Sequence, residues 1–567
     1  KPNEILKTLR EAKDSGKRFV WLARRLDEDT AQKINETLED RDLKKYDLPR
    51  FAGLHWKEEQ KRSYPYKSLA AHIVGFSNND DIGQAGIEQS QEELLHGAVI
   101  RSWQDRDRLG RVYEEEQVER EPPKDIVLTI SNSIQYKTEE ALAQGVKEAN
   151  AKSGMAVVLD PKTGEILAMA NYPTFDPSKF NEIDPEVLTN KAIHSLYAPG
   201  STFKLITYGS ALDRNLISPT AQIDCSSGFV EAGKRIFRDS HPIGRVSYSK
   251  ALASSSNVGA IKTAMKVGKQ DFHGYVKKFG FGQLTGIELP AETRGILRPV
   301  DKWYGDSLAS MSIGYEIGVT ALQMASAYAT IANNGVRIQP HIIKEIRQAD
   351  GKIISTTQPA REQVVSPEAA RNLRGMLGEV VTAGTGKRAQ LDGYTSAGKT
   401  GTAWKFNPKT KRQDAGKYVS SFIGFAPADN PSVVIAVVMD EPKTGSRNGG
   451  VVAAPVFSEI AAQILPELNV IPDANIRQDS LLAEEIPEIV EEDAFFIDRT
   501  EEETEENLTD RKAEKSQIAE KKPIEKPKEI KVKVKEKDSD KKKDVPKPKA
   551  AAVKEKPKDK PREKEKT

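Results

Sequence analysis

With 567 residues the chain is long enough for two or three domains and a large core, yet 30% of its residues are charged and only 37% hydrophobic, so part of it is expected to stay unfolded. The net charge of +2 conceals an acidic stretch, with twelve acids against one arginine in residues 484–506, and a basic tail, with 23 Lys or Arg against 12 Asp or Glu in residues 511–567; those acids and the lack of interleaved aromatics argue against nucleic acid as a partner. A single cysteine, Cys225, excludes an internal disulfide and any cysteine-based metal cluster, and seven scattered histidines give no zinc pattern, so the expectation is chemistry with no metal and no cofactor.

Residues 1–120 are polar and hold no catalytic constellation. Phe19–Ala23, leading into Asp29–Leu38, reads as helical, and the stretch from Tyr64 to Glu88 reads as an irregular, strand-containing region turned by its glycines. Pro122-Pro123 marks a boundary before a strand over Asp125–Ile130, and Ser133–Ala149 reads as a helix. Met155–Leu159 and Ile166–Ala170 are apolar runs around Asp160-Pro161-Lys162-Thr163-Gly164-Glu165, which predicts a hairpin.

The Pro199-Gly200 turn then opens a helix near Ser201. Ser201 and Lys204 lie three apart and so share one helical face, where a lysine that is partly neutral can take the serine's proton. By itself S-x-x-K says little, because Ser247 to Lys250, Ser396 to Lys399 and Ser539 to Lys542 match as well; a helix N-cap with a surface lysine one turn on is the plain alternative. Ser247 reads as the N-cap of a helical run over Tyr248–Ser256.

Helical runs and glycine-containing loops continue to about Asn334, strands return at Tyr418–Phe425 and Val433–Met439, and a helix over Ala453–Ile464 closes the domain. Strands at both ends with helices between predict an α+β domain whose sheet joins the two ends of the segment. Val433–Met439 is also the longest apolar run, well short of the roughly 18 residues a spanning helix needs. Residues 471–567 read as disordered, with an apolar patch at Ala494–Ile497 that could dock.

Acyl transfer by a Ser-Lys pair also needs a proton relay to the leaving amine, donors for the oxyanion, and a grip on the substrate carboxylate. Ser255-Ser256-Asn257 and Lys399-Thr400-Gly401-Thr402 can supply these, and S-x-x-K, S-x-N and K-T-G together are the signature of β-lactamases and penicillin-binding proteins. Ser77-Asn78-Asn79, Ser446-Arg447-Asn448, Lys162-Thr163-Gly164 and Lys443-Thr444-Gly445 match individual motifs too. Lys162 and Lys443 sit in turn-like stretches, whereas Lys399 is flanked by Ala397-Gly398 and Gly401-Thr402-Ala403, small residues that let a ligand approach the backbone.

On these residues the chain resembles the class B penicillin-binding proteins, the monofunctional peptidoglycan D,D-transpeptidases, and within them the cell-division (septal) branch. Gly280-Phe281-Gly282, Thr285-Gly286-Ile287, Ile313-Gly314-Tyr315 and Val452–Phe457 extend the likeness over roughly Arg62 to residue 470. Two features depart from it: Glu316 stands where the family usually has glycine, and the family does not generally carry a long basic tail.

The resemblance implies a penicillin-recognising fold, mainly antiparallel sheet flanked by helices with the cleft along an edge strand, over residues 121–470, behind a non-catalytic pedestal, residues 1–120. It implies Ser201 as nucleophile, Lys204 as general base, Ser255 as relay to the leaving amine and Lys399 as its electrostatic assistant. Asn257 would hold the substrate amide and position Lys204, Thr400, Gly401 and Thr402 would bind the substrate, and the backbone N–H groups of Ser201 and Thr402 would form the oxyanion hole. The implied partners are stem peptides (a D-Ala-D-Ala donor and an amine acceptor), β-lactams, a membrane glycosyltransferase and other division proteins. The implied location is the bacterial inner membrane, with a single-pass anchor missing from this chain and the catalytic domain on the periplasmic or extracellular side. A D,D-carboxypeptidase, a β-lactamase or a non-catalytic penicillin-binding sensor would share the three motifs.

Overall fold

The computed structural model describes residues 2–17, 19–24, 26, 28–39, 62–103, 117–407, 412–474 and 497–498. By its contacts the chain divides after Arg499, and all the described residues belong to the unit Lys1–Arg499. Most of the tail expected to be disordered, from residue 475 on, therefore lies outside the described residues.

The organising element is a five-stranded antiparallel sheet in the spatial order Ala397–Asn407, Arg412–Ala426, Val433–Asp440, Ser153–Leu159, Ile166–Tyr172. The expected hairpin and the two late strands are all in it, so the sheet does join the two ends of the domain. Val433–Asp440 shows why a continuous apolar run belongs at its centre. Val434, Ala436 and Val438 enter one core and Val433, Ile435, Val437 and Met439 the other, as alternating side chains must. Each fully buried valine or isoleucine contributes roughly 1.5–3 kcal/mol of burial, which leaves the run no stable alternative on a surface.

One face of the sheet carries Asn132–Glu148, capped by the Ser131 hydroxyl accepting from Ile134 N, together with Ala454–Ile464. The other face carries Ala321–Ala332, with Lys204–Asp213, Asn257–Val267 and Pro367–Ala383 in the same core. Among the described residues no helix is long and apolar enough to cross a membrane.

Three local expectations change. The strand after Pro123 forms, over Lys124–Leu128, but pairs with Ile343–Gln348 in a separate three-stranded sheet. Phe19–Ala23 is not helical: aromatic and β-branched side chains lose rotamer freedom in a helix, and here Phe19 and Trp21 meet edge to face at 5.0 Å while Arg24 lies over Trp21. The run from Tyr248 breaks after Ala253 and a second helix starts at Asn257, because Ser255 adopts φ +57°, a left-handed angle no α-helix can carry.

The region from Tyr64 to His96 combines short helices with the strand pair Phe76–Ser77 and Gly83–Ala85. It is fastened to the sheet domain by Ala70 N donating to Glu139 at 2.8 Å and by Ser90 Oγ donating to the Glu288 carbonyl at 2.6 Å. Ile497–Asp498 pairs antiparallel with Arg235–Ile236; Ile497 is the last residue of the patch expected to dock, whose other residues, 494–496, lie outside the described residues.

Candidate active site

Gly200, at φ +56°, turns the chain into a short 3-10 segment, Gly200–Phe203, which passes directly into the helix Lys204–Asp213. The helix therefore begins in the tighter 3-10 form. Ser201 is half-buried, while Lys204 and Thr202 are 0% exposed. The segment is pinned from two sides: Thr202 Oγ1 donates to the Pro199 carbonyl at 2.8 Å, and the Tyr328 hydroxyl donates to the Thr202 carbonyl at 2.9 Å.

The left-handed Ser255 aims its hydroxyl at this segment. Ser255 Oγ donates to Ser201 Oγ at 3.0 Å, and Lys204 Nζ donates to Ser255 Oγ at 3.3 Å and to the Ser255 carbonyl. One hydroxyl thus touches both the candidate nucleophile and the candidate base. Asn257, the first residue of the helix Asn257–Val267, turns its side-chain amide to the Arg238 carbonyl at 2.9 Å.

Lys399 and Thr400 lie on the edge strand Ala397–Asn407, both 0% exposed. Lys399 Nζ donates to Thr400 Oγ1 at 3.1 Å and the Thr400 carbonyl at 3.3 Å, with Thr385 Oγ1 at 3.5 Å. Gly401 lets this strand lie against the serine segment, since a Cβ there would stand 2.8 Å from the Pro199 carbonyl and 2.9 Å from the Thr202 methyl. A Cβ on Gly200 would likewise stand 3.1 Å from the Thr402 carbonyl, so the backbones of Gly200 and Thr402 are neighbours. The Thr402 hydroxyl accepts from Gly449 N at 3.1 Å.

The three motifs therefore converge on one place; of the rival S-x-x-K matches, Ser539 and Lys542 lie outside the described residues. Lys162 and Lys443 are exposed, and Ser247 caps Tyr248–Ala253 by accepting from Lys250 N at 3.1 Å.

Two contributing residues were not read from the sequence. Asp239 accepts from Asn257 N at 2.5 Å and Val258 N at 3.0 Å with one oxygen, and from Ser256 Oγ at 2.7 Å with the other, so it holds the start of the S-x-N helix. Thr385 bonds Thr400 Oγ1 at 2.8 Å, and its N–H donates to the Ala253 carbonyl, joining the edge strand to the Ser255 segment. Neither sits in a local pattern that would mark it.

Residues 154–462 match the penicillin binding protein transpeptidase domain, and residues 1–128 match the penicillin-binding protein dimerisation domain. The chain is 36% identical over 478 residues to penicillin-binding protein PbpB of Mycolicibacterium smegmatis, across 82% of this chain and 72% of that one. The chain belongs to the class B penicillin-binding proteins. Peptidoglycan D,D-transpeptidase FtsI of Escherichia coli is 32% identical across 81% of this chain and 74% of that protein, which places the chain on the septal branch. Penicillin-binding protein 3 of Mycobacterium tuberculosis, solved in complex with ampicillin, is 34% identical with a TM-score of 0.65, covering 74% of this chain and 92% of that one. In this penicillin-binding protein the strand that carries Lys399 to Thr402 is an edge of the sheet, with a strand neighbour on one side only among the described residues.

Proposed function

We propose that this protein is a serine-type peptidoglycan D,D-transpeptidase of the division septum, and that the three motifs act as one acylation centre. The observation that carries the reading is the contact of Ser255 Oγ with both Ser201 Oγ and Lys204 Nζ. Ser201 Oγ attacks the carbonyl carbon of the penultimate D-Ala of a stem peptide. Its proton goes to the Lys204 amine, and Ser255 relays it to the departing D-Ala amine as the peptide C–N bond breaks. The backbone N–H groups of Ser201 and Thr402 stabilise the oxyanion, each contributing about 3 kcal/mol by analogy with other acyl-transfer sites.

Lys399 supports this chemistry with its charge and, with the hydroxyls of Thr400 and Thr402 and the open backbone at Gly401, receives the terminal carboxylate. Asn257, at the mouth of the S-x-N helix, holds the substrate amide and helps to orient Lys204. The acceptor amine of a second stem peptide then attacks the ester carbonyl and forms the cross-link as the ester C–O bond breaks, and a proton lost by that amine passes to Ser201 Oγ and restores its hydroxyl. A β-lactam follows the same first step and stays on the serine.

The protein acts at the bacterial inner membrane, with the catalytic domain facing the periplasmic or extracellular side, beside a membrane glycosyltransferase and other division proteins; its likeness to septal relatives supports this. The reaction is tested with a D-Ala-ended donor peptide and an amine acceptor, following products by mass. Cross-linked peptide that exceeds hydrolysed donor supports the transpeptidase, and hydrolysis alone would assign a carboxypeptidase instead.

A further inference from the structure

Glu316 occupies a backbone position that favours glycine. Its φ is +57°, in the left-handed region, where a residue with a Cβ is held at a cost in backbone energy. A glutamate kept at such an angle needs a reason in its side chain, and the structure supplies one. Only 17% of that side chain is exposed, and its carboxylate is an ion-pair centre. One oxygen takes a hydrogen bond from Ser307 Oγ at 2.7 Å and pairs with Arg298 Nη2, while Arg235 Nη1 stands 3.6 Å from the other. Ser307 is itself fully buried and accepts from Tyr304 N at 2.9 Å, and Arg235 Nε also pairs with Asp306 at 3.1 Å.

What Glu316 joins is more telling than the pairs themselves. On its own side of the network, residues 314–319 bracket the segment that delivers the nucleophile. Gly200 N donates to the Gly314 carbonyl at 3.1 Å, and Tyr197 and Val319 exchange two backbone hydrogen bonds of 3.0 Å each. On the far side, Arg235 begins the strand Arg235–Arg238, which runs straight into Asp239 and pairs with Phe229–Ala232. The Arg238 carbonyl takes the Asn257 amide, and Asp239 takes the Ser256 hydroxyl and two amides of the S-x-N helix. The Glu316 carboxylate therefore lies between the support of Ser201 and the support of Ser255–Asn257, two segments far apart in sequence whose hydroxyls must meet.

We propose that Glu316 is a positioning residue for acylation: through Arg235 it locks the strand that carries Arg238 and Asp239 to the turn that seats Gly200, and so sets the spacing between Ser201 and Ser255. This rests on the reading of Ser201 as the acylated nucleophile. The prediction separates positioning from stability. Glu316→Gly removes the carboxylate and relieves the backbone at the same position, so the two effects on stability oppose each other. The spacing of the two hydroxyls, in contrast, loses its tie with nothing in return.

The test is the rate of acylation of the purified chain by a fluorescent penicillin, measured over a concentration series that resolves the acylation rate constant from the dissociation constant of the initial complex, alongside Tm. For Glu316→Gly we expect the acylation rate constant to fall about 10- to 100-fold, the scale of a small misplacement of reacting groups, with the dissociation constant and Tm close to wild type. Glu316→Gln, which keeps the bond to Ser307 and loses the charge facing Arg235, should fall in between, and it carries the test should the glycine variant not fold. Arg235→Gln should slow acylation in the same way, and the double variant Arg235→Gln/Glu316→Gly should be no slower than the worse single one. Wild-type acylation in the Glu316 variants, or a change in Tm alone, would overturn the proposal, and additive effects of the two substitutions would overturn the route through Arg235. A wild-type chain that takes no penicillin would remove the acylation reading itself, an outcome distinct from a labelled wild type with an equally labelled Glu316 variant.

Discussion

Ser255 Oγ reaches Ser201 Oγ at 3.0 Å from a backbone held at φ +57°, between two helices that its left-handed turn separates. Strain of this kind, in a residue that is not glycine, costs about 1–3 kcal/mol and persists only where the surroundings fix it. Here the surroundings are the Lys204 amine, which bonds both the hydroxyl and the carbonyl of Ser255, and the Asp239 carboxylate on the next residues of the chain.

Replacing Ser255 by alanine should therefore leave the fold nearly intact and impair the chemistry. Loss of a proton relay is expected to lower the acylation rate by about 10²- to 10⁴-fold, as read by stopped-flow with a chromogenic β-lactam, with Tm within a few degrees of wild type. A variant that acylates at the wild-type rate would remove Ser255 from the relay.

Asp239→Ala should act first on stability. It leaves the Ser256 hydroxyl and the amides of Asn257 and Val258 without their acceptor, at about 1–3 kcal/mol for buried groups that lose a partner. Denaturant unfolding should show a lower midpoint, and acylation should slow as well because the S-x-N helix loses its anchor. An unchanged midpoint would mean that the helix start finds other partners.

Gly314 admits no side chain. It sits at φ +84°, and a Cβ there would come 2.1 Å from the Gly200 carbonyl oxygen and 2.5 Å from its nitrogen, both backbone atoms that carry Ser201. Gly314→Ala should displace the nucleophile and reduce penicillin labelling by about 100-fold or more, the loss expected from a shift near 1 Å. Labelling at the wild-type rate would show that the bracket over Gly200 yields without consequence.

His72 gives the structure a specific acid sensitivity. Burial holds its pKa down at about 4, below the ordinary value of 6.5, even though its ring nitrogen bonds the Val187 carbonyl at 2.8 Å. Between these two values the unfolded chain takes up a proton that the folded chain refuses, so stability falls as pH drops from about 6.5 to about 4 and is constant with respect to this group outside that window. The full effect is on the order of 3 kcal/mol. Melting curves at pH 7.5 and 4.5 should differ more for wild type than for His72→Gln, and equal differences would exclude this histidine as the cause.

The motifs were legible in the sequence because their local surroundings are chemical: the Pro199-Gly200 turn picks out Ser201, and the small residues around Lys399 let the edge strand approach Pro199 and Thr202. The central sheet was legible for a similar reason, since a run such as Val433–Met439 has only one place to go. Asp239, Thr385 and the role of Glu316 were not, because each acts on a partner distant in sequence through an ordinary polar side chain. The break at Ser255 escaped notice for another reason. Serine is a poor marker of a left-handed angle, and folded contacts, of Lys204 with Ser255 and of Asp239 with the residues after it, help to hold it there.

The central claim is that Ser201 is the residue acylated, with Lys204, Ser255 and Lys399 arranged to make it so. Intact-mass measurement after incubation with benzylpenicillin, followed by peptide mapping, tests it most directly. Wild type should gain the mass of one penicillin, carried by the peptide that contains Ser201, and Ser201→Ala should gain none while melting as wild type does. An adduct of equal yield on Ser201→Ala, or one that maps to a peptide without Ser201, would contradict the account.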